Sequence, residues 1–315
     1  MDTSLACLSH LSASGARPLS VRVGVIGAGR VGAVLAAALR SAGHEVVAVS
    51  ARSEQSKARA VELLPGVPIR SVAEVARASS LVLLALPDDV LADPAGPVAD
   101  LVATGDIRAG QVVAHTSGRH GLAVLESAAR VGAITMAVHP AQTFGGTAAD
   151  LPRLAGVSYG VTALGRYWRL AEWLVEELGG TAVAVPEELR PLWHAGLAHG
   201  ANHLVTLVTS ALDVIRATGA SDPAAVLRPL LSAALERTLE LGDAALTGPV
   251  ARGDADAVAG HLEALSEHVP AEAALYQQLA RATAERLPDP APELWPVLTN
   301  GPRSIDVRNP ARRGA

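Results

Sequence analysis

Ser117 and His139 stand at the carboxyl ends of two predicted strands, where an open α/β sheet binds its ligands. Ser117 follows the strand in QVVAHTSG, and His139 ends the strand in AITMAVHP. An imidazole gains and loses a proton near neutral pH, so His139 is a candidate for proton transfer or for polarising a carbonyl group. Gln142 follows it as a candidate substrate contact. His115 ends the strand in QVVAHTSG, and there an interior histidine bonded to backbone is at least as good an interpretation as a catalytic one.

A second group of polar side chains lies in the helical segment LWHAGLAHGANH. At about 100° per residue, Asn202 lies about 80° from His194, whereas His199 and His203 lie about 140° and 180° from it. His194 and Asn202 therefore form one set and are candidate catalytic residues. His199 and His203 have the spacing of a zinc motif, but the motif's glutamate and a third ligand are absent. We predict no metal site.

A third group lies in LTGPVARGD, between two predicted helices of the second half of the chain. Thr247 presents a hydroxyl group, and Arg252 can bind a carboxylate through two parallel hydrogen bonds. We therefore predict both residues as substrate contacts. Asp254 either orients Arg252 or caps the next helix.

The glycine-rich turn GAGRVG follows one predicted strand and opens a helix, at the start of a βαβ unit. Its first glycine permits a tight turn, its second lets backbone approach a pyrophosphate, and its third lets the helix pack closely on the strand. The phosphates then lie at the positive end of the helix. This context predicts a dinucleotide cofactor, bound by Gly27, Gly29, Arg30, Val31, Gly32, Leu86, Pro87, Ser117 and Gly118.

The residues at the end of the second strand favour one nicotinamide cofactor over the other. An NAD site normally carries a carboxylate here, which bonds the ribose 2′-hydroxyl group. This chain has Ser50, Arg52 and Ser53 instead. A guanidinium and hydroxyl groups favour a 2′-phosphate, so we predict NADP(H).

The elements that position these residues change character after Pro186. Strands alternate with helices before it, and only helical patterns follow it. The pattern predicts an α/β Rossmann domain, doubly wound with a mostly parallel sheet, followed by an all-α second domain. We predict a loose leader at 1–19, an NADP-binding Rossmann domain at 20–186, a helical substrate and dimerisation domain at 187–287, and a loose Pro/Arg-rich tail at 288–315.

Composition argues against several other classes of protein. The net charge of −5 disfavours a general nucleic-acid or anionic-membrane surface. A single cysteine, Cys7, allows no disulfide within the chain and suits a reducing compartment. The N-terminal segment lacks the features of a signal peptide, and no long apolar run predicts a membrane span. We therefore expect a cytoplasmic protein.

Together, GxGxxG, LLALPDD, a glycine after the fifth strand and a helical second domain resemble the 6-phosphogluconate-dehydrogenase-like superfamily. That group includes ketopantoate reductase, pyrroline-5-carboxylate reductase and prephenate dehydrogenase. HTSGRHG, HPAQTF and LTGPVARGD more closely resemble a family that joins a Rossmann-like domain to domain of unknown function 2520. The resemblance covers roughly residues 20 to 285 and implies dimerisation through the helical domain.

The resemblance also implies roles for individual residues. Ser117 and Gly118 would contact the nicotinamide and the substrate, as in ketopantoate reductases, and His139 would face the substrate, as in prephenate dehydrogenases. Ketopantoate reductases place a catalytic lysine early on the first helix of the second domain, with an asparagine one or two turns on. This helix has no lysine, and His194 stands at about that place, two turns before Asn202.

These observations predict an NADP-dependent oxidoreductase that reduces a small carbonyl acid in the cleft between its domains. A 2-oxo acid such as ketopantoate is the first candidate substrate. Arg252 would anchor its carboxylate, and either His139 or His194 would donate the proton. A cyclic imine or a prephenate-like acid is the alternative substrate. A non-catalytic NADP-binding sensor or partner-binding protein is the alternative function.

Overall fold

The structure is a computed structural model that describes residues 20–299. Seven strands form one sheet, in the order β2-β1-β3-β4-β5-β6-β7. The first five strands are parallel, β6 runs antiparallel to β5, and β7 is parallel to β6. This confirms the predicted mostly parallel sheet. The strands are β1 (Arg22–Ile26), β2 (Glu45–Ser50), β3 (Leu81–Leu84), β4 (Val112–His115), β5 (Ile134–Pro140), β6 (Ser158–Ala163) and β7 (Thr181–Ala184).

Helices alternate with the strands up to β7, and only helices follow it in the described residues. The first group is α1 (Arg30–Ser41), α2 (Glu54–Leu63), α3 (Val72–Ala78), α4 (Asp88–Ala92), α5 (Pro97–Ala103), α6 (Glu126–Arg130) and α7 (Trp168–Glu177). The second group is α8 (Arg190–Ala198), α9 (Leu204–Ala217), α10 (Pro223–Leu241), α11 (Ala255–His268), α12 (Pro270–Glu285) and α13 (Leu294–Thr299). None of the described helices is both long and apolar enough to span a bilayer.

Both faces of the sheet are covered, because successive side chains of a strand point to opposite faces. Leu81 and Leu83 of β3 pack in a cluster with residues of α1 and α7. Val82 and Leu84 pack in a second cluster with residues of α3, α5 and α6. Burial on both faces explains the continuous apolar strands, which are typical of parallel sheets.

The chain divides into two compact units between Ala201 and Asn202, whereas the sequence placed the domain boundary at 186. The difference arises because α8 packs with the first unit, through a fully buried Arg190. The helical segment LWHAGLAHGANH is also not one regular α-helix. A 3₁₀ turn precedes α8, and a π-helical turn, His199–His203, separates α8 from α9.

The second unit has a small core formed by α11, α12 and α13, which includes Val258, Leu262 and Ala284. The prediction of a loose tail from 288 was wrong for its first part. Residues 294–299 form α13, and its Leu294 and Leu298 are buried in this core. Apolar residues spaced four apart lie on one face of a helix, and this spacing outweighed the surrounding prolines. Residues 300–315 of that tail and the predicted leader at 1–19 lie outside the described residues.

Candidate functional site

The glycine-rich turn between β1 and α1 has the geometry that its motif predicts. Gly27 has a φ of 99°, and a Cβ there would lie 2.4 Å from the carbonyl oxygen of Ala85. A Cβ on Gly32 would lie 2.1 Å from the carbonyl oxygen of Gly27. Gly29 precedes α1 without a side-chain cap, and a Cβ on it would meet nothing within 4 Å. The first turn of α1 is therefore open to an anion, as a dinucleotide phosphate requires.

The residues predicted to bind a 2′-phosphate lie together at the end of β2. Ser50 is buried, and its Oγ accepts a hydrogen bond from Gly27 N at 3.1 Å. Ser53 caps α2 by accepting a hydrogen bond from Ser56 N. Both hydroxyl groups thus have local structural roles, and Arg52 is the exposed cation of the group.

The segment after β5 lies against the start of α1. Arg59 Nε donates to the carbonyl oxygen of Gly146 at 3.1 Å, and a Cβ on Gly146 would lie 3.0 Å from Arg30 Cα. Gln142 braces this segment, because its Nε2 donates to the Arg153 carbonyl oxygen and its Oε1 accepts from Thr143 N. The sequence pattern did not predict that Arg59 holds this segment.

His115 stabilises the turn after β4. Its Nδ1 accepts from Ser117 N at 3.2 Å, and its Nε2 lies 2.8 Å from the Gly121 carbonyl oxygen, to which it donates. Burial, and to a smaller extent Arg190, lower the pKa of His115 to about 4. The interpretation of His115 as an interior histidine bonded to backbone is confirmed. Ser117 is itself buried, and its Oγ accepts from His120 N at 3.2 Å.

Two predicted catalytic histidines meet at Gly118. The rings of His139 and His194 lie 5.8 Å apart between centroids and cross at 82°. A Cβ on Gly118 would lie 2.6 Å from His194 Cδ2 and 2.9 Å from His139 Nε2. The absence of a side chain at Gly118 therefore makes room for both imidazoles, and the structure brings β4, β5 and α8 together at one point.

Trp193 determines which nitrogen of His139 carries the proton. Its Nε1 donates to His139 Nδ1 at 3.2 Å, so the proton of a neutral ring resides on Nε2. Burial first, and then the charge of Arg190 and the proximity of His194, lower the pKa of His139 to about 4. His139 is thus uncharged at neutral pH and presents an Nε2–H donor beside Gly118.

Gly160 makes room for this tryptophan. It pairs with His139 across β5 and β6, and a Cβ on it would lie 2.5 Å from Trp193 Cε2. Neither Trp193 nor Gly160 was predicted from the sequence to belong to the site. A tryptophan adjacent to His194 in RPLWH was the available signal, but its partner lies on a strand 54 residues earlier.

Arg190 is a third residue of the site that was not predicted from the sequence. The side chain is fully buried, and burial lowers its pKa to about 10. Its guanidinium donates to the Ser117 carbonyl oxygen at 2.5 Å, to Thr162 Oγ1 at 3.0 Å and to the Gly160 carbonyl oxygen at 3.4 Å. It thereby ties α8 to β6 and to the turn that holds Gly118.

Three predicted site residues lie in the second unit. Asn202 is in the π-helical turn, so the uniform step of 100° used to place it relative to His194 does not hold there. Thr247 and Arg252 are exposed before α11. Asp254 caps α11 by accepting from Ala257 N at 3.0 Å, as one of its two interpretations required.

Comparison with protein families and solved structures gives the fold an external reference. Residues 9–140 match a Rossmann-like domain, and residues 157–283 match a domain of unknown function, DUF2520. No curated protein matches the chain.

Solved structures resemble most of the chain. A Bacteroides fragilis protein assigned as an NADP oxidoreductase has a TM-score of 0.70 and 23% identity, covering 84% of this chain and 98% of its own. A reductive aminase from Aspergillus terreus, in complex with NADPH and ethyl-5-oxohexanoate, has a TM-score of 0.58 and 17% identity, covering 84% and 94%. Pyrroline carboxylate reductase from Plasmodium falciparum, with NADP bound, has a TM-score of 0.54 and 14% identity, covering 84% and 96%.

Because all three identities are low, the likeness establishes the fold alone. The family matches and the fold agree with the resemblance that the sequence motifs indicated. The chain is a Rossmann-like domain followed by a DUF2520 domain, on the fold of these oxidoreductases.

Proposed function

We propose that the chain is an NADP(H)-dependent oxidoreductase that reduces a small carbonyl acid. The observation that carries the proposal is the pair of imidazoles at Gly118, on the same sheet edge as the glycine-rich turn. Gly27 follows β1, Gly118 follows β4 and His139 is near the end of β5, and these strands are parallel. Ligands of such sheets bind at this edge.

The residues of the glycine-rich turn fit a dinucleotide. Gly27, Gly29 and Gly32 and the open start of α1 would hold its pyrophosphate, with Arg30 and Val31 beside them. Arg52, with Ser50 and Ser53, would bind a 2′-phosphate. Leu86 and Pro87, just after β3, would contact the cofactor. When bound, NADPH supplies the hydride for the reduction of a carbonyl group.

The two histidines have different roles in this proposal. The Nε2–H group of His139 donates a hydrogen bond to the carbonyl oxygen of the substrate and polarises it, because its Nδ1 is held by Trp193. His194 is half-buried and transfers a proton from its ring to the same oxygen as negative charge develops there. The Gly118 turn holds the substrate between the two rings.

A fluorescence titration with NADPH and with NADH tests the cofactor. We expect tighter binding of NADPH, and loss of that preference by about tenfold or more in Arg52→Ala, because a charge-assisted bond to phosphate is removed. Arg169→Ala removes another exposed arginine, on α7, and should leave the preference unchanged. Equal affinity for NADPH and NADH in the wild type would contradict this part of the proposal.

A substrate panel read by NADPH oxidation tests the reaction. It contains 2-oxo acids including ketopantoate, cyclic imines and a prephenate-like acid. The reductive aminase and the pyrroline carboxylate reductase among the similar structures favour an imine as the second candidate. His194→Gln should lower the rate by about 100-fold or more, as expected for loss of a general acid. Tight NADPH binding without turnover on any member would favour a non-catalytic NADP-binding protein.

We also propose that the protein forms a homodimer through its second unit. Four leucines of α10 are exposed, among them Leu230 at 64% and Leu239 at 80%, whereas Leu227 of the same helix is buried. The helix α9 contains no buried residue. A mostly apolar groove of about 810 Å³ lies between α9, α11 and α12, lined in part by Leu207 and Leu279. One unit thus presents an apolar helix and an apolar groove, as a self-complementary dimer requires.

Sedimentation of the wild type and of a Leu230→Glu, Leu239→Glu variant tests the dimer. The wild type should sediment as a dimer and the variant as a monomer. Leu192→Glu, at a leucine of the first unit that is 69% exposed, is the matched control and should stay dimeric. A monomeric wild type would contradict the proposal.

A further inference from the structure

Arg190 carries a charge that forms no ion pair with any acidic side chain in the described part of the chain. It is fully buried, and its three acceptors are two backbone carbonyl groups and a hydroxyl group. Its Nε has no hydrogen-bond partner among the described residues, and none of their carboxylates lies within 4.0 Å of the guanidinium. A buried charge without an opposite charge is costly, so such groups are normally paired.

The acidic side chains that act on Arg190 have other partners. Glu187 and Asp88 both act on the pKa of Arg190, against the larger effect of burial. The carboxylate of Glu187 accepts from Leu122 N at 2.7 Å and from Ala123 N at 3.1 Å. Asp88 forms an ion pair with Arg119 at 3.2 Å. Both carboxylates therefore act on the guanidinium only at a distance, and neither forms an ion pair with it.

The same arginine determines the geometry of the site. It occupies the first position of α8, and residues three and four positions later on a helix lie on the same side. Those residues are Trp193, which bonds His139, and His194, which packs on Gly118. Because the guanidinium holds the Ser117 carbonyl oxygen, it fixes the turn and the helix that carry both rings.

The groups that face the site include one acidic side chain, Asp88, which already pairs with Arg119. The titratable and charged groups that act on His139 are Arg190, His194 and Asp88. Burial and Arg190 keep His139 uncharged, so the guanidinium is a fixed positive charge beside an uncharged donor.

We propose that Arg190 is a positioning residue whose buried charge, held without an ion pair, makes the site of Gly118, His139 and His194 selective for anionic ligands, carboxylates above all. The inference rests on the proposed function and names a residue responsible for its choice of an acid. A carboxylate bound at this site supplies the negative charge that the fold omits. Arg190 acts on it through space and through the Ser117–Gly118 turn, since its own side chain is not exposed.

Two small ligands that differ in charge but hardly in shape test the proposal. Isobutyrate and isobutyramide are titrated into the full-length protein, and binding is followed by NMR of the histidine Cε1–H groups. Signals of His139 and His194 are assigned with the corresponding glutamine variants. We expect the wild type to bind isobutyrate about tenfold more tightly than isobutyramide, as for unit charges roughly 10 Å apart in partly solvated surroundings.

Three variants separate charge from structure. Arg190→Lys keeps the charge and should keep most of the preference for isobutyrate, whereas Arg190→Met should bring the two affinities to within about twofold. Arg169→Met removes an exposed arginine from the same unit and should behave as the wild type. Equal weakening of both ligands in Arg190→Met, with their ratio unchanged, would show that the residue is only structural and would overturn the proposal.

The wild-type measurement is decisive even if Arg190→Met does not fold. No preference for isobutyrate, or no response of His139 and His194 to it at high concentration, contradicts the proposal without any variant. Failure of the proposed function has a different signature. It appears as absent NADPH binding, while the preference for the anion persists.

Discussion

Replacement of Gly118 by alanine tests the central feature of the site. The new methyl group would lie 2.6 Å from His194 Cδ2 and 2.9 Å from His139 Nε2, where contacts of 3.4–4 Å are ordinary. Gly118 does not have a positive φ, so the effect is one of packing and not of backbone strain. Overpacking of this kind costs about 1–3 kcal/mol of unfolding free energy.

The experiment compares urea unfolding of the Gly118→Ala variant with that of Gly165→Ala. Gly165 also lacks a positive φ, and a Cβ on it meets nothing within 4 Å, so it is the matched control. We expect a loss of about 1–3 kcal/mol at Gly118 and a change within about 0.5 kcal/mol at Gly165. The Cε1–H signals of His139 and His194 should shift only in the first variant.

A double variant identifies which ring is displaced. If the methyl group clashes with His194, the double variant Gly118→Ala, His194→Ala should lose less unfolding free energy than the two single variants added together. The difference should be about 0.5–3 kcal/mol. If Gly118→Ala and Gly165→Ala had equal stability and unchanged histidine signals, the packing of both rings on Gly118 would be refuted. Additive losses in the double variant would leave His139 as the ring that the methyl group meets.

The remaining predictions concern a proton, a pH dependence and the second core. Trp193→Phe removes the donor to His139 Nδ1, so the pKa of His139 should rise toward its usual value. Histidine NMR titration measures this pKa, with Trp168→Phe as the control. An unchanged pKa would contradict the hydrogen bond between Trp193 and His139. The folded-state pKa of His115 is about 4, below its ordinary value of 6.5. His115 therefore binds a proton more readily in the unfolded state than in the folded state. Stability should therefore fall as pH falls from about 6.5 toward 4, by up to about 3 kcal/mol for His115. Urea unfolding at several pH values should show a shallower pH dependence in His115→Gln than in the wild type. An identical pH dependence would refute the lowered pKa of His115. Leu298→Ala should destabilise the second unit by about 2–5 kcal/mol if α13 is part of its core; calorimetry measures it, Val297→Ala at a less buried position is the comparison, and an equal small effect of both would contradict the packing of α13.

The alternation of strands and helices was predictable because each signal is local. A strand such as LVLL is apolar throughout because both of its faces are buried, and its sequence shows this directly. The glycine-rich turn was predictable for the same reason, since its spacing encodes a turn and a close approach within six residues. The cap of α11 by Asp254 is equally local.

The end of the described chain was mispredicted because its signals conflict. Proline and arginine near residue 288 indicate a loose segment, while Leu294 and Leu298 are spaced for one face of a helix. Only the presence of α11 and α12 beneath them decides that these leucines are buried. The domain boundary was displaced for a similar reason, since Arg190 packs into the sheet that precedes it.

The sequence by itself determined the sheet, the cofactor-type turn and the two histidines worth testing, because these follow from residue type and from spacing along one strand or helix. The tertiary structure decided what those histidines are. His139 is uncharged because it is itself buried and lies near the charge of Arg190, and its Nε2 is the donor because Trp193 holds its Nδ1. Tautomer and charge depend on burial and on partners from other elements, and no local pattern contains either.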